Sequence, residues 1–393
     1  MQKFLVGSLF ACLLVGFGCG GGRFGAESMT ASGRAFTSNF MAGIAHVAGN
    51  YGFTQNNFLI EGAQKISSLG SESIFVYLTP RFRSQYPDQS ANQWPSADPS
   101  DLAHLAQTAP YAKVFNMNFQ TIVLTTYSFA NAYGVVGMAG SPGRLQAEES
   151  EFYHLTKYLY SHFKGSRKTF ILKNWEGDWI GLGQGNTTGN IPAGTVQDMT
   201  AWFTARQNGV TRARNEANDT SMQVLNAVEV NRVLDYTQKG LTRVINAVVP
   251  NVGADMVTYS SYDSTVVGSD AQTVDKNLTL ALNTIKQLAP DPLGLGMKRI
   301  LISEYGLYEN QLKGDATWRS KAILNTAKNA GIAGAFLWNL YDNECLEPNG
   351  QPAPVDVNPG NPARPGDSNC RGLWVVRPDG SDSSVLSVLK QYW

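Results

Sequence analysis

The chain has no excess of charge of either sign. Its 393 residues carry 31 Lys and Arg against 31 Asp and Glu, a formal net charge of zero, and no long basic or acidic block. A nucleic-acid surface needs a positive footprint, so that class of partner is excluded. Histidine is scarce: four residues, at 46, 104, 154 and 162, with no HExxH and no cluster of metal-ligand spacing, which argues against a metal centre. There is no GxSxG elbow of a serine hydrolase. The glycine-rich stretch Gly181-Leu182-Gly183-Gln184-Gly185 lacks the strand-to-helix setting and the downstream acid of a dinucleotide site, so no cofactor is expected. Charged residues are only 16%, against 43% hydrophobic and 11% aromatic, which suits a globular chain with a sizeable core.

Beyond the N-terminus no long hydrophobic run occurs. Lys3 followed by the apolar run Phe4–Phe17 reads as an export signal, too short to span a bilayer as a mature helix. It ends at Gly18-Cys19 before Gly20-Gly21-Gly22. A small residue before Cys and a glycine run after it resemble a bacterial lipoprotein cleavage site, with Cys19 as the acylated residue; plain secretion is the alternative. Residues 1–19 are therefore assigned to the signal, 20–36 to a flexible tether and 37–393 to one folded domain. Either route takes the protein out of the cytoplasm, to the bacterial cell envelope or the medium. A lipid on Cys19 is then the one expected contact with a membrane. Asn-x-Thr sequons at Asn186, Asn218 and Asn277 carry little meaning in a bacterial host.

Cysteine is also rare, with four residues. Cys12 leaves with the signal and Cys19 is the anchor or is lost. Cys345 and Cys370 remain, bracketing a loop rich in Pro, Asn and Gly, and an oxidising compartment favours a disulfide between them. Zinc is the poorer reading, because two cysteines without nearby histidine do not make a site.

What the chain does contain is a rhythm of short apolar runs. Strands are predicted near 42–47, 73–79, 121–127, 168–174, 222–229, 255–261, 298–304 and 333–339. Each is a near-continuous Val, Ile, Leu or Phe run, as in parallel strands covered on both faces. The segments between them look helical. Phe152, Leu155, Leu159 and Phe163 follow one helix face, with Gly165 as a stop. Asp315 is placed to cap a helix through Trp318, Ile323 and Ala327 that ends at Gly331. Eight strands alternating with helices predict an α/β fold, a single (β/α)8 barrel, with long loops after strand 2 (about 80–100) and strand 8 (about 341–372).

Two glutamates then stand out. Glu176 follows strand 4 in Asn174-Trp175-Glu176-Gly177-Asp178-Trp179, and Glu304 ends strand 7 in Ser303-Glu304-Tyr305-Gly306. Active sites of such barrels lie at the carboxyl ends of the strands. A carboxyl pair there can protonate a glycosidic oxygen and attack the anomeric carbon. Glu176 would be the acid, held neutral by flanking indoles, and Glu304 the charged nucleophile. The competing readings are a structural carboxylate at Glu176, with Asp178 as a second candidate, and an ion pair of Glu304 with Arg81 or Arg232. Tyr259 on strand 6 is placed to donate to Glu304, or to pack. Trp338 closes strand 8, where an indole suits the C–H face of a sugar ring. Trp175 and Trp179 could act similarly. Asn174, Asn231 and His46 are candidates for sugar hydroxyls, although a lone histidine is more often a core residue.

Glutamates ending strands 4 and 7 with a strand-8 tryptophan resemble the clan A glycoside hydrolases, which include the family 5 and family 39 types. The segment Gly372-Leu373-Trp374-Val375-Val376-Arg377-Pro378-Asp379-Gly380-Ser381 is similar to the stretch that follows strand 8 in those enzymes and leads into a last helix, here Ser384–Lys390. Over residues 40–393 the resemblance implies a retaining (β/α)8 enzyme acting on a poly- or oligosaccharide through a covalent glycosyl-enzyme. One departure is clear: those enzymes place Asn directly before the acid/base Glu, whereas Trp175 intervenes here. A barrel that binds glycans without catalysis is the alternative from another class. A metal-dependent amidohydrolase is disfavoured by the few histidines.

Overall fold

The computed structural model describes residues 39–88, 92–132, 134–312, 314–355 and 366–393. The signal, Cys12, Cys19 and the tether lie outside the described residues. Among the described residues no helix is long and apolar enough to cross a membrane.

Eight strands close into a barrel in chain order: β1 Met41–Ala45, β2 Ser73–Leu78, β3 Thr121–Thr126, β4 Thr169–Lys173, β5 Gln223–Val230, β6 Met256–Ser260, β7 Ile300–Gly306 and β8 Gly334–Trp338. All neighbours are parallel, and β8 closes on β1. Every predicted strand is present, with ends shifted by two residues or fewer.

The apolar runs arise from the two faces of each strand. Phe75, Val123, Ile171, Leu225, Met256 and Leu301 fill the barrel interior. Their chain neighbours Ile74, Ile122, Phe170, Val224, Val257 and Ile300 point outward to the helical ring. Side chains alternate across a strand, so a strand with two apolar neighbours shows no polar positions until it reaches an end.

The ring follows the expected helices. Pro142–Phe163 buries Phe152, Leu155, Leu159 and Phe163, and Gly165 beyond it adopts φ 83°, a left-handed turn that suits glycine. In Asp315–Asn329 the N-cap is Gly314 and Asp315 is the first helical residue. Its carboxylate therefore complements the helix dipole instead of capping the end. The last helix is shorter than predicted, Leu386–Leu389, continued by a tight turn at Lys390–Tyr392.

One irregularity positions the site. Along β6 and β7 the register runs Tyr259 to Ile302 and then Ser260 to Glu304; along β7 and β8 it runs Ile302 to Ala335 and then Tyr305 to Leu337. Strand β7 thus carries one extra residue at 303–304, a bulge. Ile302 and Tyr305 both belong to the outer core. Between them, Ser303 and Glu304 in succession make contacts inside the barrel.

The loop after β2 folds back on itself through Trp94, whose ring packs on Phe82 and Tyr111 and whose Nε1 donates to the Tyr86 carbonyl at 2.7 Å. The loop after β8 is closed by a disulfide between Cys345 and Cys370, 25 residues apart in sequence. Closing a loop of that length restricts the unfolded chain by about 3 kcal/mol.

Candidate active site

Above the apolar filling of the barrel, toward the carboxyl ends of the strands, the inward positions turn polar. Lys173 of β4 comes two residues after Ile171, and Glu229 of β5 two residues after Ala227. Both side chains are fully buried. Lys173 Nζ lies 2.6 Å from Glu229 Oε2 and 3.2 Å from Glu304 Oε1, and it also sits 4.4 Å from the centre of the Phe75 ring. Glu229 accepts further from Ser303 Oγ, from Thr258 Oγ1 at 3.5 Å and from the backbone N–H of Glu176 at 2.9 Å.

Glu176 and Glu304 are therefore brought to one place. Glu176 stands at the start of the short helix Gly177–Leu182, and its Oε1 accepts from Ser260 Oγ at 2.7 Å. The chain passes so close to β5 that a Cβ at Gly177 would lie 2.4 Å from the Glu229 carbonyl oxygen; only glycine allows that approach. Burial pushes the Glu176 carboxyl up to about 7, opposed by the Ser260 hydrogen bond and assisted by the charge of Glu229.

Glu304 is 3% exposed, and its own carbonyl accepts from the N–H and Oγ of Ser261 at 2.8 and 3.0 Å, which holds the bulged strand firmly. Burial drives its carboxyl well above the usual range; the Lys173 ammonium opposes this, and Glu229 and Glu176 add to it. Tyr77 and Tyr262 also face the group. Their hydroxyls are held well above the usual phenol range, first by burial and then by the charge of Glu304. Gly306 of the Ser-Glu-Tyr-Gly stretch leaves room for Tyr262, whose ring a Cβ would meet at 2.7 Å.

Trp338 ends β8 opposite Gly306. It is 8% exposed, lies 6.1 and 6.3 Å from the rings of Phe75 and Tyr77, and donates from Nε1 to Asn343 Oδ1 at 3.0 Å. A cis peptide links it to Asn339. The loop after β8 also brings Arg371 to 4.1 Å over the Tyr308 ring and into an ion pair with Glu344. Both residues adjoin the disulfide. Asp342 fastens the same loop by accepting from the N–H groups of Glu344, Gly372 and Leu373.

The other predicted positions fall into different roles. Asn174 is buried and fully engaged: its Oδ1 accepts from Glu229 N at 2.7 Å and its Nδ2 donates to the carbonyls of Trp175 and Glu229. It braces β4 against β5 where a sugar contact was expected. Asn231 accepts from the backbone N–H of Asp178 at 2.9 Å. Asp178 in turn accepts from the N–H groups of Asn231, Arg232 and Val244, so this carboxylate pins loops instead of facing the mouth. Trp175 and Trp179 are half-buried; the first donates its backbone N–H to Tyr127 Oη, and the second lies 5.6 Å beneath Arg232.

Two placements correct the sequence reading, and a third, His46, follows the core alternative it allowed. Tyr259 bonds to Asp263 and Ser264, not to Glu304. Its side chain points out of the barrel because Thr258 and Ser260 on either side of it point in. Arg232 pairs with Asp235 at 2.8 Å and Arg81 sits exposed at the start of the helix Phe82–Gln85; the cation beside Glu304 is Lys173. His46 lies in the core among Phe58, Tyr86 and Tyr341, fully buried, with Nε2 donating to the Phe58 carbonyl at 2.8 Å.

His46 carries a testable consequence. Burial lowers its pKa from 6.5 to about 4. The unfolded chain therefore takes up a proton between these values while the folded chain does not, and stability falls as pH drops from 6.5 to about 4. The full difference is on the order of 3 kcal/mol. Urea midpoints at pH 7 and pH 4.5 should differ less in His46→Phe than in the wild type; an unchanged difference would place the titrating group elsewhere.

The residues that sequence reading missed, Lys173, Glu229, Ser260 and Tyr262, had one readable signal. A charge within an otherwise apolar barrel strand, near its carboxyl end, occurs at both Lys173 and Glu229. Among the described residues, the acidic and sulfur ligand atoms close enough to share a cation are those of Asp342, Cys345 and Cys370. The two sulfurs are bonded to each other, so they offer no thiolates. A cavity of about 340 Å³ at the opposite end of the barrel, lined by Phe40, Glu72, Gln120, Tyr392 and Trp393, sits at the strand starts and holds no carboxyl pair.

No protein-family model matches the chain, and no curated protein matches it. Solved structures do. A GH5_18 protein from Streptomyces cattleya, in complex with GlcNAc, superposes with a TM-score of 0.50 at 10% identity, over 90% of this chain and 81% of its own. XEG5A, a GH5 xyloglucan-specific endo-beta-1,4-glucanase from a metagenomic library, aligns at a TM-score of 0.49 and 11% identity, over 87% and 89% of the two chains. A GH5-4 broad specificity endoglucanase from Clostridium acetobutylicum aligns at 0.46 and 12%, over 86% and 95%. At such identities the likeness is one of fold: this chain has the (β/α)8 barrel on which the Streptomyces cattleya glycoside hydrolase is built.

Proposed function

We propose that the protein is a glycoside hydrolase that cleaves a poly- or oligosaccharide with retention of anomeric configuration. The observation that carries this reading is the environment of two glutamates at one barrel mouth. Glu176 is buried against a hydroxyl donor with a carboxyl pushed up to about 7, and Glu304 is paired with the Lys173 ammonium. The first is suited to hold a proton near neutral pH; at the second, the ammonium opposes the upward push of burial and favours the charged form, the division of labour that glycoside cleavage needs.

In the first step Glu304 attacks the anomeric carbon as Glu176 gives its proton to the departing oxygen, and a glycosyl ester forms on Glu304. In the second, Glu176, now a carboxylate, takes a proton from water. That water attacks the same carbon, and the sugar leaves with Glu304 as a free carboxylate. Trp338 offers its indole to the ring at the reacting position. The Arg371–Glu344 pair over Tyr308 supplies donors and acceptors for a neighbouring sugar unit.

The anomeric proton of the first-formed product, followed by NMR during hydrolysis of a glycoside, should show the configuration of the substrate. The opposite anomer would mean direct attack by water and would remove Glu304 from the nucleophile role. Saturable glycan binding with no product formed would favour the non-catalytic alternative.

A further inference from the structure

Resting on the reading of Glu176 and Glu304 just given, the geometry points to a second pair beneath them: we propose that Lys173 and Glu229 act as one buried positioning pair that ties the two glutamates together and favours the charged form of Glu304 for attack.

The connections form an unbroken chain. Glu229 Oε1 accepts the backbone N–H of Glu176 at 2.9 Å, Glu229 Oε2 meets Lys173 Nζ at 2.6 Å, and Lys173 Nζ reaches Glu304 Oε1 at 3.2 Å. Each member comes from a different strand or loop, so no local interaction could set the distance between Glu176 and Glu304. The pair spans that gap. It is also held from the sides: Ser303 and Thr258 donate to Glu229, and Asn174 accepts from the Glu229 backbone N–H. Lys173 rests over Phe75, which keeps its apolar stem and ammonium in a fixed place. A carboxylate accepting from three side chains and one backbone N–H has little freedom left.

Charge makes the arrangement purposeful. Three carboxyl groups, Glu176, Glu229 and Glu304, share one buried ammonium. Other titratable groups near enough to act on them are the phenols of Tyr77 and Tyr262 at Glu304, and Asp178, through its charge alone, and Tyr308 at Glu176; no second cation is within ion-pair distance of Glu304 among the described residues. Without Lys173, Glu304 would be a buried carboxylate beside two others and would take up a proton. With it, Glu304 has a cation at 3.2 Å, whereas the Glu176 carboxyl, partly buried, has a hydroxyl donor and, among the described residues, no cation within ion-pair distance.

Lys173 and Glu229 act through Glu304 and Glu176, so their effects should appear in kcat and in the pH profile more than in KM. Lys173→Met should lower kcat by about 100-fold with KM changed by less than about threefold, and should move the acidic limb of kcat/KM upward by about one pH unit or more, since loss of a neighbouring opposite charge raises a carboxyl by that order. Lys173→Arg keeps a cation and should return the limb toward its original position. Glu229→Gln preserves shape and removes a negative charge, so both limbs should move to lower pH. A residue that only supports the fold would change expression and Tm and leave the limbs in place.

Removing one partner of a buried ion pair can unfold a protein, whereas replacing both by apolar residues is often tolerated. The double variant Lys173→Met with Glu229→Met therefore decides the matter if a single variant does not fold. A folded double variant with wild-type kcat and unmoved limbs overturns the proposal; loss of kcat at an unchanged Tm supports it. Mass spectrometry of the wild-type protein with a 2-fluoro glycoside separates this from failure of the underlying reading. A label on Glu304 with unmoved limbs in the variants rejects only the pair, while no label on Glu304 rejects the nucleophile itself.

Discussion

Glu304→Gln should lower turnover of an aryl glycoside by at least roughly a thousandfold, because the amide cannot form the glycosyl ester that splits one difficult step into two easier ones. The fold should survive. Glu304 is 3% exposed and ends a strand whose backbone is held by Ser261, and glutamine has the same shape and can still accept from Lys173. Stability should hold or rise, since three buried carboxyl groups compete for one ammonium and the substitution removes one charge from that competition. A gain in Tm together with loss of activity is the signature of a site that keeps unfavourable charge for its chemistry. Activity within tenfold of wild type would show that the attacking group lies elsewhere, and Glu229, the other carboxylate on Lys173, would be the first place to look.

Glu176→Ala should act differently according to the leaving group. With an unactivated glycoside, whose departing oxygen needs a proton, kcat should fall by about 10²–10⁴-fold. With a dinitrophenyl glycoside the first step needs no acid, and a glycosyl-enzyme should accumulate because the base for the second step is missing. Added azide, which attacks without giving up a proton, should then restore turnover and yield a glycosyl azide of retained configuration. The pH profile supplies an independent check. Glu176 must be protonated to act, and burial pushes its carboxyl up to about 7, so wild-type activity should decline as pH rises through about 7. The alanine variant, tested on the activated substrate, should lose that alkaline limb. The same shift has a sign for stability. A carboxyl that holds its proton more tightly when folded stabilises the folded chain below about 4.5, and that contribution is lost as pH rises through about 7. An alkaline limb that survives in Glu176→Ala would assign it to another group.

How much of this was readable in the chain differs from residue to residue. Strands such as Thr121–Thr126 and Ser73–Leu78 were legible because they are buried on both faces and read as continuous apolar runs between breakers. Parallel order around the barrel then placed Glu176 and Glu304 at the same end, since both follow their strands. Tyr259 shows where such reasoning stops. Nearness along the strand suggested a bond to Glu304, but the phase of alternation puts Thr258 and Ser260 inside and Tyr259 outside, against Asp263. His46 was a candidate because it ends a strand, and its ring is instead surrounded by aromatic side chains from elements distant in sequence.

By itself, then, the sequence determined the eight-strand rhythm, the end of the barrel that carries the acidic residues and the pairing of Cys345 with Cys370, because periodicity, residue type and scarcity are local or compositional properties. The tertiary structure alone decided which charges meet. Lys173 reaches Glu304 across 131 positions of chain, and it does so only because an extra residue in β7 lets Ser303 and Glu304 both make contacts inside the barrel. A bulge is set by the register of three neighbouring strands, and no property of residues 300–306 taken alone specifies it.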